Sequence, residues 1–273
     1  MKRGKLYICP TPIGNLEDIT LRTLRVLREV DLIAAEDTRH TIKLLNHYEI
    51  KKPLTSYHEH NVREKGEELI SKLEEGQDIA LVSDAGMPGI SDPGEDLIKL
   101  AIENDIEVIV LPGPTASISA LVVSGLSTEK FSFEGFLPPK KKERKLRLEE
   151  IKDERRTLII YESPHRILGS LEDMLEVLGN RKLAVARELT KLHEEVFRGS
   201  VQEAIERFSS GPVKGEFVLV VEGNMEEERV EVDIEEELLK YINQGLSKKE
   251  SVKRVAKEFN LARNEVYQRS LKL

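Results

Sequence analysis

A chain of 273 residues with 39% hydrophobic side chains carries enough apolar surface for more than one compact core, which excludes global disorder. A single cysteine, Cys9, rules out an internal disulfide and a thiolate zinc site, and the six histidines are not paired at ligand spacing, so no metal is expected. The formal charge of −8 would argue against a nucleic-acid partner only if it were evenly spread, and residues 239–273 instead carry nine Lys or Arg against three acids.

The apolar run after the basic start covers only 6–9, too short for a signal peptide or a membrane span, and a cytoplasmic location is expected. The first half alternates short β-rich runs with amphipathic helical stretches, the pattern of an α/β fold around a mostly parallel sheet. Strands are predicted at 5–9, 32–35, 79–83 and 108–111. After the first of them, Leu21, Leu24, Leu27 and Val30 share one helical face. A helix over 67–75 can be closed by Gly76, and Asp92, Pro93 and Glu95 read as the N-cap, first-turn proline and capping-box glutamate of the next.

A second α/β segment is predicted with strands at 132–136, 157–161, 183–186 and 217–221 and a helix over 164–178 that Gly179 ends. The charge run at 140–145 follows Pro138 and Pro139 and reads as a projecting loop-to-helix element. In the tail, helices are predicted at 234–242, 248–259 and 263–271; Ser247 with Glu250 makes a capping box, while Ala262 stands where a polar cap is expected. The division is therefore an α/β domain over 1–125, a second α/β domain over 126–224, and a basic helical module over 233–273. The module has the spacing of a helix-turn-helix, a spacing shared by any small three-helix bundle, and the acidic stretch 226–237 before it reads as a hinge.

Three proline- and glycine-bearing loops follow predicted strands, at 10–15, 83–94 and 112–117, where open α/β sheets place ligands. None is a phosphate-binding Walker loop or a dinucleotide fingerprint. One such loop alone is an ordinary tight turn; three in series favour a ligand with a flat, uncharged portion held through backbone groups. The strings TPIGNLEDIT at 11–20, AAEDTRHT at 34–41, SYHEHN at 56–61, SDAGMPGISDPG at 83–94, LPGPTAS at 111–117, YESPHR at 161–166 and RELTKLHEE at 187–195 resemble those of the tetrapyrrole-methylase superfamily, in particular its members that act on ribosomal RNA. The match runs in order over 5–223, and the tail resembles the same members' helical module.

The resemblance implies two α/β domains with a cofactor cleft between them and S-adenosylmethionine as methyl donor. It also implies 2′-O-methylation of a cytidine in the decoding region of small-subunit rRNA by a homodimer. Carried over residue by residue, the cofactor contacts fall at Ile13, Asp84, Met87, Thr115 and Ala116, and from the second domain near Tyr161, Leu189 and Glu216. Methyl transfer to a ribose hydroxyl needs alignment plus a base or a cation near the oxygen. Candidates are Glu36, Asp37 and Arg39; His58, Glu59 and His60; Glu162, His165 and Arg166; and Arg187, Glu188 and Lys191. Of these, Arg39 and Arg166 are expected to hold phosphates, and a carboxylate (Glu36 or Glu162) or Lys191 to take the hydroxyl proton. Glu36 to Arg39 also read as a helix cap with a surface ion pair.

Two rivals remain at this point. A methylase of a tetrapyrrole or another small molecule would need neither the 140–145 element nor the basic tail. A non-catalytic nucleic-acid binder would leave the three loops without a purpose.

Overall fold

The computed structural model describes residues 2–211, 213–225, 233–259 and 261–273. The chain divides into two compact units, Met1–Asn224 and Met225–Leu273.

The first unit holds two five-stranded sheets. In the first, β1 (Lys5–Ile8), β2 (Leu32–Ala35), β3 (Leu54–Ser56), β4 (Ile79–Val82) and β5 (Glu107–Val110) lie in the order β3-β2-β4-β1-β5, all parallel. Its helices are α1 (Leu21–Glu29), α2 (Thr38–His47), α3 (Val62–Glu74) and α4 (Glu95–Glu103). Alternation along β4 shows how both faces are filled. Ile79 and Leu81 join Leu69, Leu73 and Leu97 of α3 and α4, whereas Ala80 and Val82 join Val26, Leu27 and Leu45 of α1 and α2.

Three local expectations are corrected here. β3 was not foreseen, because three residues offer no period to read. α3 starts at Val62 rather than at 67, although Gly76 does follow its end at φ 95°. The Asp92 cap with its capping box does not form: α4 begins at Glu95 behind Gly94, whose φ of 146° suits glycine, and no side chain caps it. The backbone reversal at Ser91 (φ 61°) and Gly94 moves the helix start two residues on.

After α5 (Ala116–Ser124) the second sheet is built from β6 (Phe131–Phe136), β7 (Thr157–Glu162), β8 (Lys182–Arg187), β9 (Glu195–Ser200) and β10 (Phe217–Val221). Their order is β6-β7-β10-β8-β9, with β6 and β7 parallel and the remaining pairs antiparallel. The edge strand β9, which mixes Val196 and Phe197 with Glu, Arg, Gly and Ser, was not foreseen. One face of the sheet packs on α6 (Lys141–Glu150), α7 (Ile167–Leu178) and α8 (Val201–Phe208). The other face packs on α5 and on Ile13 from the loop after β1, with Ala120 and Leu121 against Ala184, Ala186, Val218 and Val220.

In the second unit, α9 (Ile234–Asn243), α10 (Lys248–Glu258) and α11 (Arg263–Ser270) surround Leu238, Val252, Val255 and Val266. The Ser247–Glu250 capping box is present and Ala262 gives α11 no cap bond. Of the acidic stretch, 226–232 lies outside the described residues. Asp233 caps α9 by accepting from the Glu235 and Glu236 amides, and Glu235 to Glu237 sit in the first turn, where the helix dipole favours negative charge.

Candidate active site

A cavity of about 200 Å³ opens in the first unit where the ends of the two sheets meet. The loop after β4 contributes Ala85, Met87, Ile90, Ser91 and Asp92, and the start of α5 contributes Thr115 and Ala116. From the second sheet come Phe136, Tyr161, Glu162, Glu216, Phe217 and Val218. The proline- and glycine-bearing loops are held together tightly. Thr11 and Gly86 exchange backbone hydrogen bonds at 2.9 and 3.0 Å, and a Cβ on Gly113 would stand 2.2 Å from Pro10 Cγ, so only glycine lets the third loop reach the first.

Of the residues carried over as cofactor contacts, Met87, Thr115, Ala116, Tyr161 and Glu216 are brought together on this cavity. Tyr161 is fixed in place: its ring meets Phe133 and Phe136 edge-on at 4.9 and 5.5 Å, and its hydroxyl accepts from the Ser117 amide at 3.2 Å. Ile13 and Leu189 lie in the apolar cluster between α5 and the second sheet and do not line the cavity. Asp84 lines a separate pocket with Thr11, Pro12 and His40.

The expected catalytic residues separate in the same way. Glu162 is on the cavity, 2% exposed. Its Oε1 accepts from the Ser163 amide at 2.7 Å and pairs with Arg166 Nε at 3.0 Å, and its Oε2 accepts from the Ser170 hydroxyl. Arg166 also donates to the Ser163 hydroxyl and the Leu137 carbonyl and stands 6.0 Å over the ring of Phe136, one of the cavity walls.

Lys191 donates to Glu188 at 2.8 Å and to Glu216 at 3.0 Å. Burial alone would lower its pKa, but those two carboxylates outweigh burial and raise it, which favours the protonated amine.

Glu36, Asp37 and Arg39 lie off the cavity. Asp37 caps α2 and takes the Arg39 guanidinium at 2.7 Å, the helix-cap and ion-pair arrangement that the sequence allowed. Glu36 accepts from the Asp84 amide, and burial raises its pKa. Asp37, His40 and Asp84 bring oxygen and nitrogen atoms within 4.8 Å of one another, with Arg39 and the Asp37 amide already on their oxygens. His58, His60 and His165 are not on the cavity. Arg187 reaches the Lys214 carbonyl and Glu195.

Sequence reasoning missed Ser91, Asp92, Phe136 and Phe217. The first two lay in the string SDAGMPGISDPG, where Asp92 was assigned to a helix cap; the two phenylalanines carried no sequence signal beyond strand propensity. The donor set suits an adenosyl group with a sulfonium-bearing chain. Ala85, Met87, Ile90, Phe136 and Val218 supply apolar walls, Glu216 supplies a polar end, and Thr115 makes no side-chain cap bond at the start of α5, where the Ser117 amide is taken by the Tyr161 hydroxyl.

Residues 5–205 match the family model of the Tetrapyrrole (Corrin/Porphyrin) Methylases, and the chain belongs to that family. The methyl donor of such a methylase is S-adenosylmethionine, in keeping with the cavity walls. The chain is 51% identical over 271 residues to the Ribosomal RNA small subunit methyltransferase I of Halalkalibacterium halodurans, a match covering 97% of this chain and 94% of that one. It is 53% identical over 220 residues to the protein of the same name from Thermotoga maritima, covering 81% of this chain and 99% of that one. Among solved structures, uroporphyrin-III-C-methyltransferase from Thermus thermophilus shares the fold, with a TM-score of 0.58 and 22% identity over 80% of this chain and 94% of that one.

Proposed function

We propose that this chain transfers the methyl group of S-adenosylmethionine to the 2′-hydroxyl of a cytidine ribose in the decoding region of small-subunit ribosomal RNA. The observation that carries this reading is near-complete coverage, at 51% identity, of a relative named for methylation of small-subunit rRNA. S-adenosylmethionine bound here supplies an electrophilic methyl group. The chain's own residues then do three things. Met87, Ala116 and Tyr161 wall off the donor from water, Glu216 and the start of α5 offer it polar partners, and Arg166 presents a cation beside the Phe136 wall for RNA phosphates.

The basic elements serve the RNA. Lys140 and Lys141 on the α6 end are largely exposed, and Lys248, Lys249, Arg263 and Tyr267 line a groove of the second unit. The Thermotoga maritima relative lacks a counterpart to about a fifth of this chain, a shortfall as large as the second unit. On the strength of its basic groove, we assign the second unit to RNA affinity and the chemistry to the first. No described helix is long and apolar enough to cross a membrane, and an rRNA substrate supports a cytoplasmic location.

Purified chain, S-adenosylmethionine and unmodified small subunits should yield one methylated cytidine ribose by mass-spectrometric mapping. Unchanged rRNA with normal cofactor binding by calorimetry would point to a small-molecule methylase, and absence of cofactor binding would point to a non-catalytic RNA binder.

The assembly is a homodimer in this reading. Ile118 and Val122, one turn apart on α5, are 45% and 68% exposed, and Val110 at the end of the edge strand β5 is 60% exposed. Sedimentation at micromolar concentration should show twice the 31.0 kDa chain mass; a single species of chain mass would overturn the dimer.

A further inference from the structure

We infer that Asp92 is the group that accepts the proton from the hydroxyl being methylated, an assignment that rests on the functional reading above. Asp92 lines the cavity in the loop between β4 and α4, and it is not spent on capping α4, whose N-cap is Gly94. The loop holds it firmly. Ser91 before it has φ 61°, a conformation that costs a non-glycine residue about 1 kcal/mol or more, and Ser91 Oγ lies 3.4 Å from where a Cβ on Gly135 would stand. The pairing of β6 with β7 shifts register between Phe133 and Gly135, so a bulge in the second sheet makes room for this loop of the first.

Elimination among the cavity carboxylates leads to the same residue. Both oxygens of Glu162 are occupied, by the Ser163 amide and Arg166 on one side and by Ser170 on the other. Glu216 is paired with Lys191. Among the described residues no cation pairs with Asp92. Its surroundings are the Ser83 hydroxyl and the carboxylates Glu36 and Asp84. Asp37 and Glu59 lie beyond Glu36, and His40 approaches Asp84 at 3.3 Å. Burial, reinforced by the Glu36 charge, pushes the Asp92 carboxyl up to about 7. A base of that strength is about half ionised at neutral pH, so it can accept a proton there and still bind it firmly enough to help a weak nucleophile.

The step balances. The ribose oxygen forms its bond to the methyl carbon as the sulfur–carbon bond breaks. That bonding pair stays on sulfur and cancels its positive charge, and the hydroxyl proton passes to the Asp92 carboxylate and from there to solvent.

The test compares wild type with Asp92→Asn and Asp92→Glu. The wild-type single-turnover rate should rise with pH to a plateau inflecting near 7. Asp92→Asn should lose the inflection and about 10²- to 10⁴-fold in rate, with cofactor affinity within about threefold by calorimetry, and Asp92→Glu should recover part of the rate. Carbon-13 NMR of the cofactor-free protein should show one aspartate carboxyl titrating near 7 that Asp92→Asn removes.

Melting curves add an independent sign. A carboxyl whose proton affinity rises on folding lends stability at low pH that is lost as pH climbs through 7. Asp92→Asn should therefore melt above wild type at pH 8, with the gap closing toward pH 4. An Asp92 carboxyl titrating below 5, or a rate for Asp92→Asn within tenfold of wild type with its inflection intact, would overturn the assignment. Failure of wild type to bind S-adenosylmethionine or to methylate rRNA would bring down the functional reading instead, and the NMR titration would still decide the state of Asp92.

Discussion

Arg144→Met should lower the stability of the chain by about 3–5 kcal/mol and its melting temperature by roughly 10 °C. Arg144 and Asp173 are 6% and 1% exposed. The guanidinium meets one carboxylate oxygen through Nε at 2.8 Å and through its terminal nitrogen at 2.6 Å. It also donates to the Pro139 and Gly169 carbonyls, so it ties α6 to the diproline loop and to α7. Without it, Asp173 keeps only Lys141 and Lys145, at 3.7 and 4.0 Å, and the charge stays buried with no close partner. Replacing both, as Arg144→Met with Asp173→Leu, should recover most of the loss, because the cost comes from the stranded charge. Urea unfolding of the single and double variants checks this; a single variant that loses under about 1 kcal/mol would show that the pair contributes as little as a surface one.

Ala116→Phe should cut S-adenosylmethionine affinity by at least 100-fold, about 2.7 kcal/mol. Ala116 opens α5 and borders the cavity, whose volume is about 200 Å³, so an aromatic ring there occupies space the ligand needs. Its melting temperature should change by only a few degrees. Ala120, one turn further along, is fully buried against the second sheet, and Ala120→Phe should instead unfold the protein. Calorimetry and thermal melts on the two variants separate the effects. Wild-type affinity in Ala116→Phe would mean that the donor binds elsewhere.

Where hydrophobic period and loop chemistry agreed, the sequence was easy to read. The apolar runs at 5–9, 79–83 and 108–111 are β1, β4 and β5 almost to the residue, and the loops that follow them do converge. Ser247 and Glu250 announced α10 because a capping box is a purely local device. Asp92 was misread for a related reason: a local pattern of Asp, Pro and Glu fits a helix start, and only the backbone reversal at Ser91 and Gly94 cancels it. The pairing of Lys191 with Glu188 and Glu216 was equally hidden, since it joins a residue three positions back to one 25 positions on, just before β10. β3 is only three residues long and is held by its neighbour β2, and β9 has just Val196 and Phe197 as strong β-formers among Glu, Arg, Gly and Ser, so neither shows a readable alternation.

The position of α5 bears on how the protein is made. The ribosome releases β1 to β5 and then α5, at which point the first sheet is complete. The buried flank of α5 nevertheless stays bare until Ala184, Ala186, Val218 and Val220 have emerged, because those residues form its bed. A nascent chain ending soon after residue 125 therefore exposes Ala120 and Leu121 to solvent and to chaperones. The event that finally covers them also brings Phe217 and Val218 up to Thr115 and Ala116, so completion of folding and closure of this cavity coincide. In the proposed reading, a chain that stops before β10 lacks Phe217 and Val218 and with them part of the wall of the donor cavity.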